Sequence, residues 1–275
     1  MNNVKHLKNT AAPELCQLFA RDRITFSVLE KILRTNCSDI FTDEDNFIIC
    51  YSSNPYPVWI WHKKSSTAEL NSIAEILNEH FPTASGYRYN MDYELYSALS
   101  LINESFAKND IAMGLISYEL MQPIAPRRIA DGSIEAARHE DIEELTDMLC
   151  AMSLEGENVV YPRDNKRIRV QEMIDSHSLY VWRASNGRIA ATTSVGVLDD
   201  ICRIGSVYTR PEMRRNGYAM NLVYNVCILT LAKNLRPILY TDGGYTASND
   251  CYRKIGFCEI GRLCNISAGK EGQNG

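Results

Sequence analysis

A turn-forming pair in the C-terminal half places the strongest constraint on how this chain can fold. Asn186-Gly187 separates two largely apolar runs at residues 178–184 and 188–198. An Asn-Gly pair accepts the positive φ angles of a tight turn and is the strongest short-range indication of a β-hairpin. A third run, residues 201–209, continues the pattern. The sequence therefore predicts three consecutive antiparallel strands.

Segments on both sides of these strands predict an order of elements. A strand at 133–137 and two helices, within 141–152 and 164–177, come before them, since apolar residues in the helices recur at helical spacing. After Pro211 that spacing returns in a helix starting near Gly217. A strand, a short helix and a last strand follow, at residues 237–241, 248–255 and 257–266. The predicted order is β-α-α-β-β-β-α-β-α-β.

The segment 123–132 has the composition of a linker, with two prolines, three charged residues and a glycine in ten positions. We therefore predict an N-terminal domain at 1–125, a linker at 126–132 and a C-terminal domain at 133–275. Residues 47–51 and 58–61 predict two strands in the first domain, and the helical spacing within 67–80 predicts a helix. The predicted fold class is α/β, or α+β.

Composition and charge exclude several kinds of partner. Of the 275 residues, 45% are hydrophobic, and no run approaches the roughly 18 apolar residues of a membrane span. The net charge of −5 argues against a broad basic surface for nucleic acid. Nine cysteines form neither a CxxC pair nor a Cys/His cluster. We expect a cytoplasmic protein with no metal, no membrane and no nucleic-acid partner.

One hexapeptide, Arg214-Arg215-Asn216-Gly217-Tyr218-Ala219, lies between a predicted strand and a predicted helix start. The unpaired amides of a helix N-terminus make an anion site, and Gly217 permits close approach of a ligand to the backbone. Arginines can add charge-assisted hydrogen bonds, so the loop suits a pyrophosphate. From the hexapeptide alone, a plain basic helix start is an equally good interpretation.

A second element, Ser-Asn-Asp-Cys-Tyr-Arg-Lys-Ile-Gly-Phe at residues 248–257, adds to this pattern. With it the chain resembles the GNAT superfamily of N-acetyltransferases, whose cofactor loop reads Gln/Arg-x-x-Gly-x-Gly/Ala and whose later helix ends in Tyr-x-Lys-x-Gly-Phe. The resemblance covers about residues 134–264. It implies a GNAT-type acyl-CoA N-acyltransferase fold with a mixed, mostly antiparallel sheet in the C-terminal domain.

The run Leu239-Tyr240-Thr241-Asp242 looks like the FR47-like branch of that superfamily. Bacterial members of the branch often carry a degenerate, GNAT-like N-terminal half before an active C-terminal half. The first half of this chain has no cofactor-loop motif after a strand. The resemblance implies that this smaller α/β domain serves packing, substrate enclosure or dimer contact, in a monomer or homodimer.

The resemblance also implies roles for individual residues. It places Asn249 beside the pantetheine arm and Tyr252 beside the thioester sulfur, where Tyr252 would act as a general acid; the alternative for Tyr252 is a core aromatic residue. Many relatives carry Asn where this chain has Tyr245. The implied cofactor-binding positions are the backbone of Val207, Tyr208 and Thr209 for pantetheine, and Arg214, Arg215, Asn216, Gly217, Tyr218 and Ala219 for the pyrophosphate.

Other polar residues carry weaker indications. His139 and His177 flank predicted helices, where surface or capping roles are more common than catalysis. Ser206 and Cys251 lie in no recognisable nucleophile motif. The acidic turn at residues 155–157 falls in the predicted loop between two helices, where relatives contact the acceptor. The general base stays open among Asp242, Glu212 and other groups.

Together these features predict an N-acetyltransferase. Acetyl-CoA, bound as a co-substrate with no metal, would give its acetyl group to the primary amine of a small-molecule or amino-acid-like acceptor. Direct attack by the uncharged amine would need no covalent enzyme intermediate. Two alternatives remain: a non-catalytic acyl-CoA-binding or regulatory module, and an N-acyltransferase that uses a longer acyl chain.

Overall fold

The computed structural model describes residues 4–63, 66–157 and 160–269. These residues form two compact units, and neither unit is one continuous stretch of chain. The first contains residues 4–117, 241–245 and 259–269, and the second contains 118–240 and 246–258, apart from 158–159. This division differs from the predicted cut at 126–132 because the last strand of the chain pairs inside the first unit.

The strands and helices are numbered in chain order. The strands are β1 (Lys5–Thr10), β2 (Cys37–Thr42), β3 (Phe47–Tyr51), β4 (Val58–His62), β5 (Tyr89–Asp92), β6 (Asn109–Leu120), β7 (Ser133–Ala136), β8 (Leu179–Arg183), β9 (Ile189–Leu198), β10 (Ile201–Thr209), β11 (Arg236–Asp242) and β12 (Phe257–Ala268). The α-helices are α1 (Ser27–Leu33), α2 (Thr67–His80), α3 (Tyr93–Ile102), α4 (Glu104–Ala107), α5 (Ile142–Glu157), α6 (Arg163–Asp175), α7 (Tyr218–Leu231) and α8 (Thr246–Ile255). Short 3-10 helices occur at Pro13–Asp22, Thr83–Ser85, His139–Asp141 and Pro211–Met213.

The first unit is organised around strands in the order β1-β2-β3-β4-β5-β12-β6. β1 to β4 pair antiparallel, β5 runs parallel to β4, and β12 pairs antiparallel to β5 through Leu263–Ile266. Buried Ile49, Ile60, Leu77 and Ile266 belong to one apolar core. That core includes side chains of β12, so the last strand contributes packing as well as hydrogen bonds to this unit.

The second unit has the strand order β11-β10-β9-β8-β7. All neighbouring strands in this order are antiparallel except β10 and β11, which are parallel. Leu179 and Val181 of β8 share a buried core with α5 and α6, whereas the intervening Tyr180 lines a small cavity with residues of α7. Because successive side chains of a strand point to opposite faces, α5 and α6 cover one face and α7 the other.

The segment predicted as a linker is bound into the second unit. Asn221 of α7 donates a hydrogen bond to the carbonyl of Arg128, 3.0 Å away. The indole of Trp182 donates to the carbonyl of Asp131 at 2.7 Å, and the hydroxyl of Tyr218 donates to an Asp131 carboxylate oxygen at 2.5 Å. The segment has the composition of a linker because it forms a turn beside this unit. At that turn Gly132 has φ = +90°, a conformation that favours glycine.

The predicted fold class is confirmed, because the structure combines helices with a mixed, mostly antiparallel sheet. The predicted elements of the C-terminal half occur in the predicted order, with β10 at the predicted residues. One local prediction is wrong: residues 155–157 belong to the end of α5 rather than to a loop. In the first half, β3, β4 and α2 were predicted, whereas the remaining strands and helices of that half were not.

Among the residues that the structure describes, no helix is long and apolar enough to cross a bilayer.

The packing around Gly132 generates a prediction with an internal control. A Cβ atom at Gly132 would lie 2.0 Å from the backbone carbonyl oxygen of Arg183, whereas one at Gly187, with a similar φ of +84°, meets no atom within 4 Å. We expect Gly187→Ala to lower the free energy of unfolding by about 1 kcal/mol through backbone strain alone. Gly132→Ala adds a clash with fixed backbone, so we expect a loss of about 3 kcal/mol or more.

Chemical denaturation followed by circular dichroism measures both losses. Equal losses in the two variants would contradict the close approach of segment 126–132 to β8.

Candidate functional site

The strand β10 is hydrogen-bonded on two sides for only part of its length. Its parallel pairing with β11 joins Ile201–Ile204 to Arg236–Leu239. The register with β9 shifts between Gly205 and Tyr208, and Ser206 has φ = +49° there. Beyond this bulge, Tyr208 and Thr209 still pair with β9. The end of β10 therefore presents a backbone edge of the kind to which an extended ligand can add hydrogen bonds.

The loop after β10 brings the chain back to a helix start. Pro211 opens the 3-10 turn Pro211–Met213, and the side-chain amide of Asn216 donates to the carbonyls of Met213 and Arg214 at 3.2 Å. Arg215 and Gly217 both have positive φ angles, of +64° and +86°. These contacts and conformations turn the chain sharply into α7.

The N-terminus of α7 has no side-chain cap. Gly217 is the N-cap residue, and its carbonyl accepts the first intrahelical bond, from the amide of Asn221 at 3.0 Å. Amides of the first helical turn point along the axis and have no partner within the helix. Together with the helix dipole they favour an anion at this position.

The two loop arginines lie in different environments. Arg214 donates to the carbonyl of Thr209 at 3.1 Å and to the carboxylate of Glu155 at 2.5 Å. Its guanidinium is thus directed towards β10 and α5, while Arg215 is exposed. Of the two, Arg215 has the side chain that can reach a ligand at the helix start without first breaking an ion pair.

Glu155 also binds the side chain of Tyr208. The Tyr208 hydroxyl donates to Glu155 at 2.7 Å, and this bond, followed by the Arg214 guanidinium, holds the pKa of Glu155 below its ordinary value. Burial and the neighbouring Glu155 raise the pKa of Tyr208 to about 12. The three side chains fix the end of α5 to the strand edge and to the loop that follows it.

The remaining residues of the hexapeptide serve the fold in different ways. The Tyr218 ring is buried and its hydroxyl is bonded to Asp131, so its side chain holds the 126–132 segment. Ala219 is half-buried in the first turn of α7. Only backbone groups of these two residues are therefore available for an anion.

Asn249 and Tyr252 share the buried face of α8, together with Ile255. The Asn249 side-chain oxygen accepts a hydrogen bond from the Tyr118 hydroxyl at 3.2 Å. Tyr252 is 7% exposed and packs edge-on against Phe257, with ring centroids 6.0 Å apart. α8 packs against α7, so the structure places both predicted residues on a helix that contacts α7.

The Tyr252 hydroxyl is held in its protonated form. Burial raises the pKa of Tyr252 above its ordinary value of 10, the nearby Cys251 adds to this, and a hydrogen bond with Ser248 opposes it. A phenol in this state donates a hydrogen bond at neutral pH and does not act as a base.

The weaker candidates lie in ordinary structural settings. His139 is exposed and hydrogen-bonded to Gln171. Glu212 is ion-paired with Arg188, and Asp242 accepts a hydrogen bond from the amide of Gly244. The remaining three are His177, which has a left-handed conformation after α6, Ser206 in the β10 bulge, and Cys251, whose pKa burial raises to about 11. Tyr245 is exposed and belongs to the first unit.

The possible metal ligands are dispersed. Among residues 4–63, 66–157 and 160–269, no three His, Cys, Asp or Glu side chains are grouped so that they could hold a metal ion.

Comparison with known proteins identifies the type of fold. A family model for the Acetyltransferase (GNAT) family matches residues 142–257, from the start of α5 to the start of β12. The fold is of the GNAT type. This match supports acyl transfer as the class of activity. A search of curated proteins by sequence found no match.

Solved structures with the same fold extend over most of the chain. A GCN5-related N-acetyltransferase from Sphaerobacter thermophilus has a TM-score of 0.71 and 13% identity, and the alignment covers 97% of this chain and 95% of that one. A GNAT-family acetyltransferase from Colwellia psychrerythraea has a TM-score of 0.63 and 12% identity, with 96% and 98% covered. At such low identity these likenesses show the GNAT-type fold and nothing about the substrate.

The interaction between Glu155 and Tyr208 generates a prediction about titration. The raised pKa of Tyr208 means that the fold favours the neutral phenol; this stabilisation is complete below pH 10 and is lost as the pH rises through about 12. We expect Glu155→Gln to lower the Tyr208 pKa from about 12, but not to 10, because burial is the larger cause.

Carbon-13 NMR of the chain labelled at tyrosine Cζ measures this, with Tyr208→Phe to assign the signal. Glu140→Gln, which removes an exposed carboxylate elsewhere, serves as the control. An unchanged Tyr208 pKa in Glu155→Gln would show that the hydrogen bond does not form in solution.

Proposed function

We propose that this chain is an acetyl-CoA-dependent N-acetyltransferase of the FR47-like branch, acting on the primary amine of a small molecule. The observation that carries the proposal is the strand edge at the end of β10, which leads directly to the uncapped N-terminus of α7. The loop between them has the sequence Arg-Arg-Asn-Gly-Tyr-Ala, residues 214–219, as the cofactor loop of the superfamily requires.

The backbone groups in this region fit coenzyme A. The edge formed by Val207, Tyr208 and Thr209 can pair with the amides of a pantetheine arm as an added strand does. The first-turn amides of α7 can bind the pyrophosphate, and the exposed Arg215 can add a charge-assisted bond. Arg214 contributes in a different way, because its bonds to Thr209 and Glu155 shape the loop.

Acetyl-CoA supplies an activated acyl group, and the protein supplies position and a proton. An uncharged amine held beside the thioester attacks directly, and such positioning can contribute several kcal/mol to the lowering of the barrier. Tyr252, kept protonated by burial, donates its proton to the departing thiolate, and the attacking nitrogen loses a proton to a base that stays open among Asp242, Glu212 and other groups. Its bond with Ser248 orients the hydroxyl.

We further propose that the first half of the chain is a degenerate GNAT-like domain that does not bind the cofactor. Its strands are followed by no Gln/Arg-x-x-Gly-x-Gly/Ala sequence, and the loop motif at residues 214–219 lies in the second unit. Its function would be to enclose the acceptor or to form a homodimer contact.

A thiol-release assay tests the proposed activity. Acetyl-CoA is offered with amines, amino acids, polyamines and aminoglycosides, and longer acyl-CoA donors are compared in parallel. Thiol release that depends on an amine supports the proposal. Faster release from a longer acyl-CoA donor would show that this donor, rather than acetyl-CoA, is the substrate. Tight coenzyme A binding without release from any donor would instead identify a non-catalytic binding module.

Arg215 provides a test of the pyrophosphate site. We expect Arg215→Ala to weaken coenzyme A binding by about 1–3 kcal/mol, less at high salt, since it removes a charge-assisted bond to phosphate. Binding of a pantetheine fragment without phosphates should not change. Calorimetry measures both ligands, and Arg262→Ala, which removes an exposed arginine of the first unit, is the matched control. Equal losses for the two ligands would show that Arg215 acts through loop structure.

Tyr252 provides a test of proton donation. Tyr252→Phe keeps the ring packed against Phe257 and removes the hydroxyl, so we expect kcat to fall roughly 10²-fold with little change in acetyl-CoA affinity. Because the pKa of Tyr252 is raised, we expect no basic limb from this group below pH 10. Tyr224→Phe, on α7, is the control for loss of a tyrosine hydroxyl.

These measurements use steady-state kinetics with an acceptor for which chemistry limits the rate. A Tyr252→Phe enzyme that keeps the parent kcat would contradict the acid role. A lower melting temperature with an unchanged kcat would assign Tyr252 to the core.

A further inference from the structure

An arginine, Arg203, lies inside β10, an interior strand of the second unit, and is not among the residues proposed to bind the cofactor. Arg203 pairs with Gly196 of β9 on one side and with Ile238 of β11 on the other. It precedes Ile204, where the ladder between β10 and β11 ends. Thr209 and the anion-binding loop begin six residues later, roughly 20 Å along an extended strand. The guanidinium of Arg203 is thus remote from the proposed pyrophosphate site.

The side chain of Arg203 belongs to the face covered by α5 and α6. The neighbouring Cys202 lines the cavity beside α7, so Arg203 points the other way. Two groups of that face act on its charge: the phenol of Tyr240 on β11 and the guanidinium of Arg169 on α6. Both lie in the same unit as Arg203.

The positive charge of Arg203 has no anionic partner in the part of the chain that the structure describes. No carboxylate or hydrogen-bond acceptor contacts its guanidinium among the residues with described placement, and the nearby Arg169 is a second cation. Burial and Arg169 lower the pKa of Arg203, whereas those of the ion-paired Arg183 and Arg236 are raised. Withdrawing an arginine from water without an anionic partner costs free energy.

The guanidinium nitrogens of Arg203 remain within reach of a small molecule. Every buried side-chain nitrogen or oxygen of the described residues has a hydrogen-bond partner. Those of Arg203 have none, so they cannot be sealed in the core and must open onto solvent. A largely buried arginine whose nitrogens still reach solvent is a strong recognition element for an anion, because its planar fork matches a carboxylate.

We propose that Arg203 binds a carboxylate of the acceptor, so that the substrates are amino acids or other amines carrying a carboxylate. The inference rests on the proposed acetyl transfer and adds the chemical class of the acceptor. A carboxylate held at Arg203 would bring the amine of the same molecule to the point where β10 leaves β11. An acceptor without the carboxylate would leave the arginine uncompensated, which is a strong basis for discrimination.

Matched acceptors test the proposal. L-α-amino acids, β-alanine and 4-aminobutyrate are each compared with their carboxamides in the thiol-release assay. We expect kcat/KM for the carboxylates to be roughly 10²-fold higher or more. Arg203→Gln should remove this preference, mainly by raising KM for the carboxylates until their kcat/KM matches that of the carboxamides. Arg203→Lys should restore part of it, because an ammonium keeps the charge but not the fork.

Two variants separate recognition from folding. Arg236→Gln changes another strand arginine, one that already has carboxylate partners, and should keep the preference. If Arg203→Gln does not fold, Arg203→Met takes its place, because an apolar side chain of similar length suits a desolvated site. Equal kcat/KM for carboxylates and carboxamides, or an equal loss for both in the Arg203 variants, would overturn the proposal.

Failure of the proposed function gives a different result. In that case no acceptor releases thiol, and the same amino acids are titrated calorimetrically into the chain saturated with coenzyme A. Binding that requires the carboxylate and is lost in Arg203→Gln would support the anion site without catalysis. No binding by any carboxylate would overturn it.

Discussion

The backbone of β10 has a neighbouring strand on both edges only as far as Ile204, and the features of the proposed site follow from that limit. A parallel partner bonded along the whole strand would leave no edge for a ligand. The bulge between Gly205 and Tyr208 turns the strand and keeps its bonds to β9, so the strand stays ordered while its other edge is released. The loop that follows then delivers the start of α7 beside that edge.

Side chains stabilise this arrangement from both faces. Glu155 joins the end of α5 to Tyr208 and Arg214, and Asp131 accepts a hydrogen bond from Tyr218 at the start of α7. A carboxylate that bonds a guanidinium and a phenol at once fixes several rotamers, which keeps the loop in one conformation before any ligand binds. Polar contacts as well as apolar packing therefore pre-organise the proposed site.

Much of the second unit could be predicted because its signals are local. The turn at Asn186-Gly187, the helical spacing after Gly217 and the stop at Gly256 depend on neighbouring residues only. In the first half, β5 depends on a partner far along the chain, since Met91 pairs with Cys264, and a four-residue strand carries little periodicity of its own.

The roles of single residues are harder to predict from the sequence than the strands and helices are. The apolar spacing of the first predicted helix ends at Met152, which predicts a loop for Glu155, whereas α5 continues to Glu157. Arg203 belongs to no motif, although a charge inside an otherwise uncharged strand is a visible signal.

The position of β12 also determines when the first unit can complete its folding during synthesis. Residues 259–269 complete the first unit, although most of its other strands lie before residue 118 in the chain. During synthesis the edge of β5 therefore stays uncovered until residues 263–266 of β12 have left the ribosome. Pairings between such distant residues form late and slowly, and an uncovered edge invites association with other chains. A nascent chain that ends before Glu259 therefore exposes an unpaired strand edge that the finished fold covers.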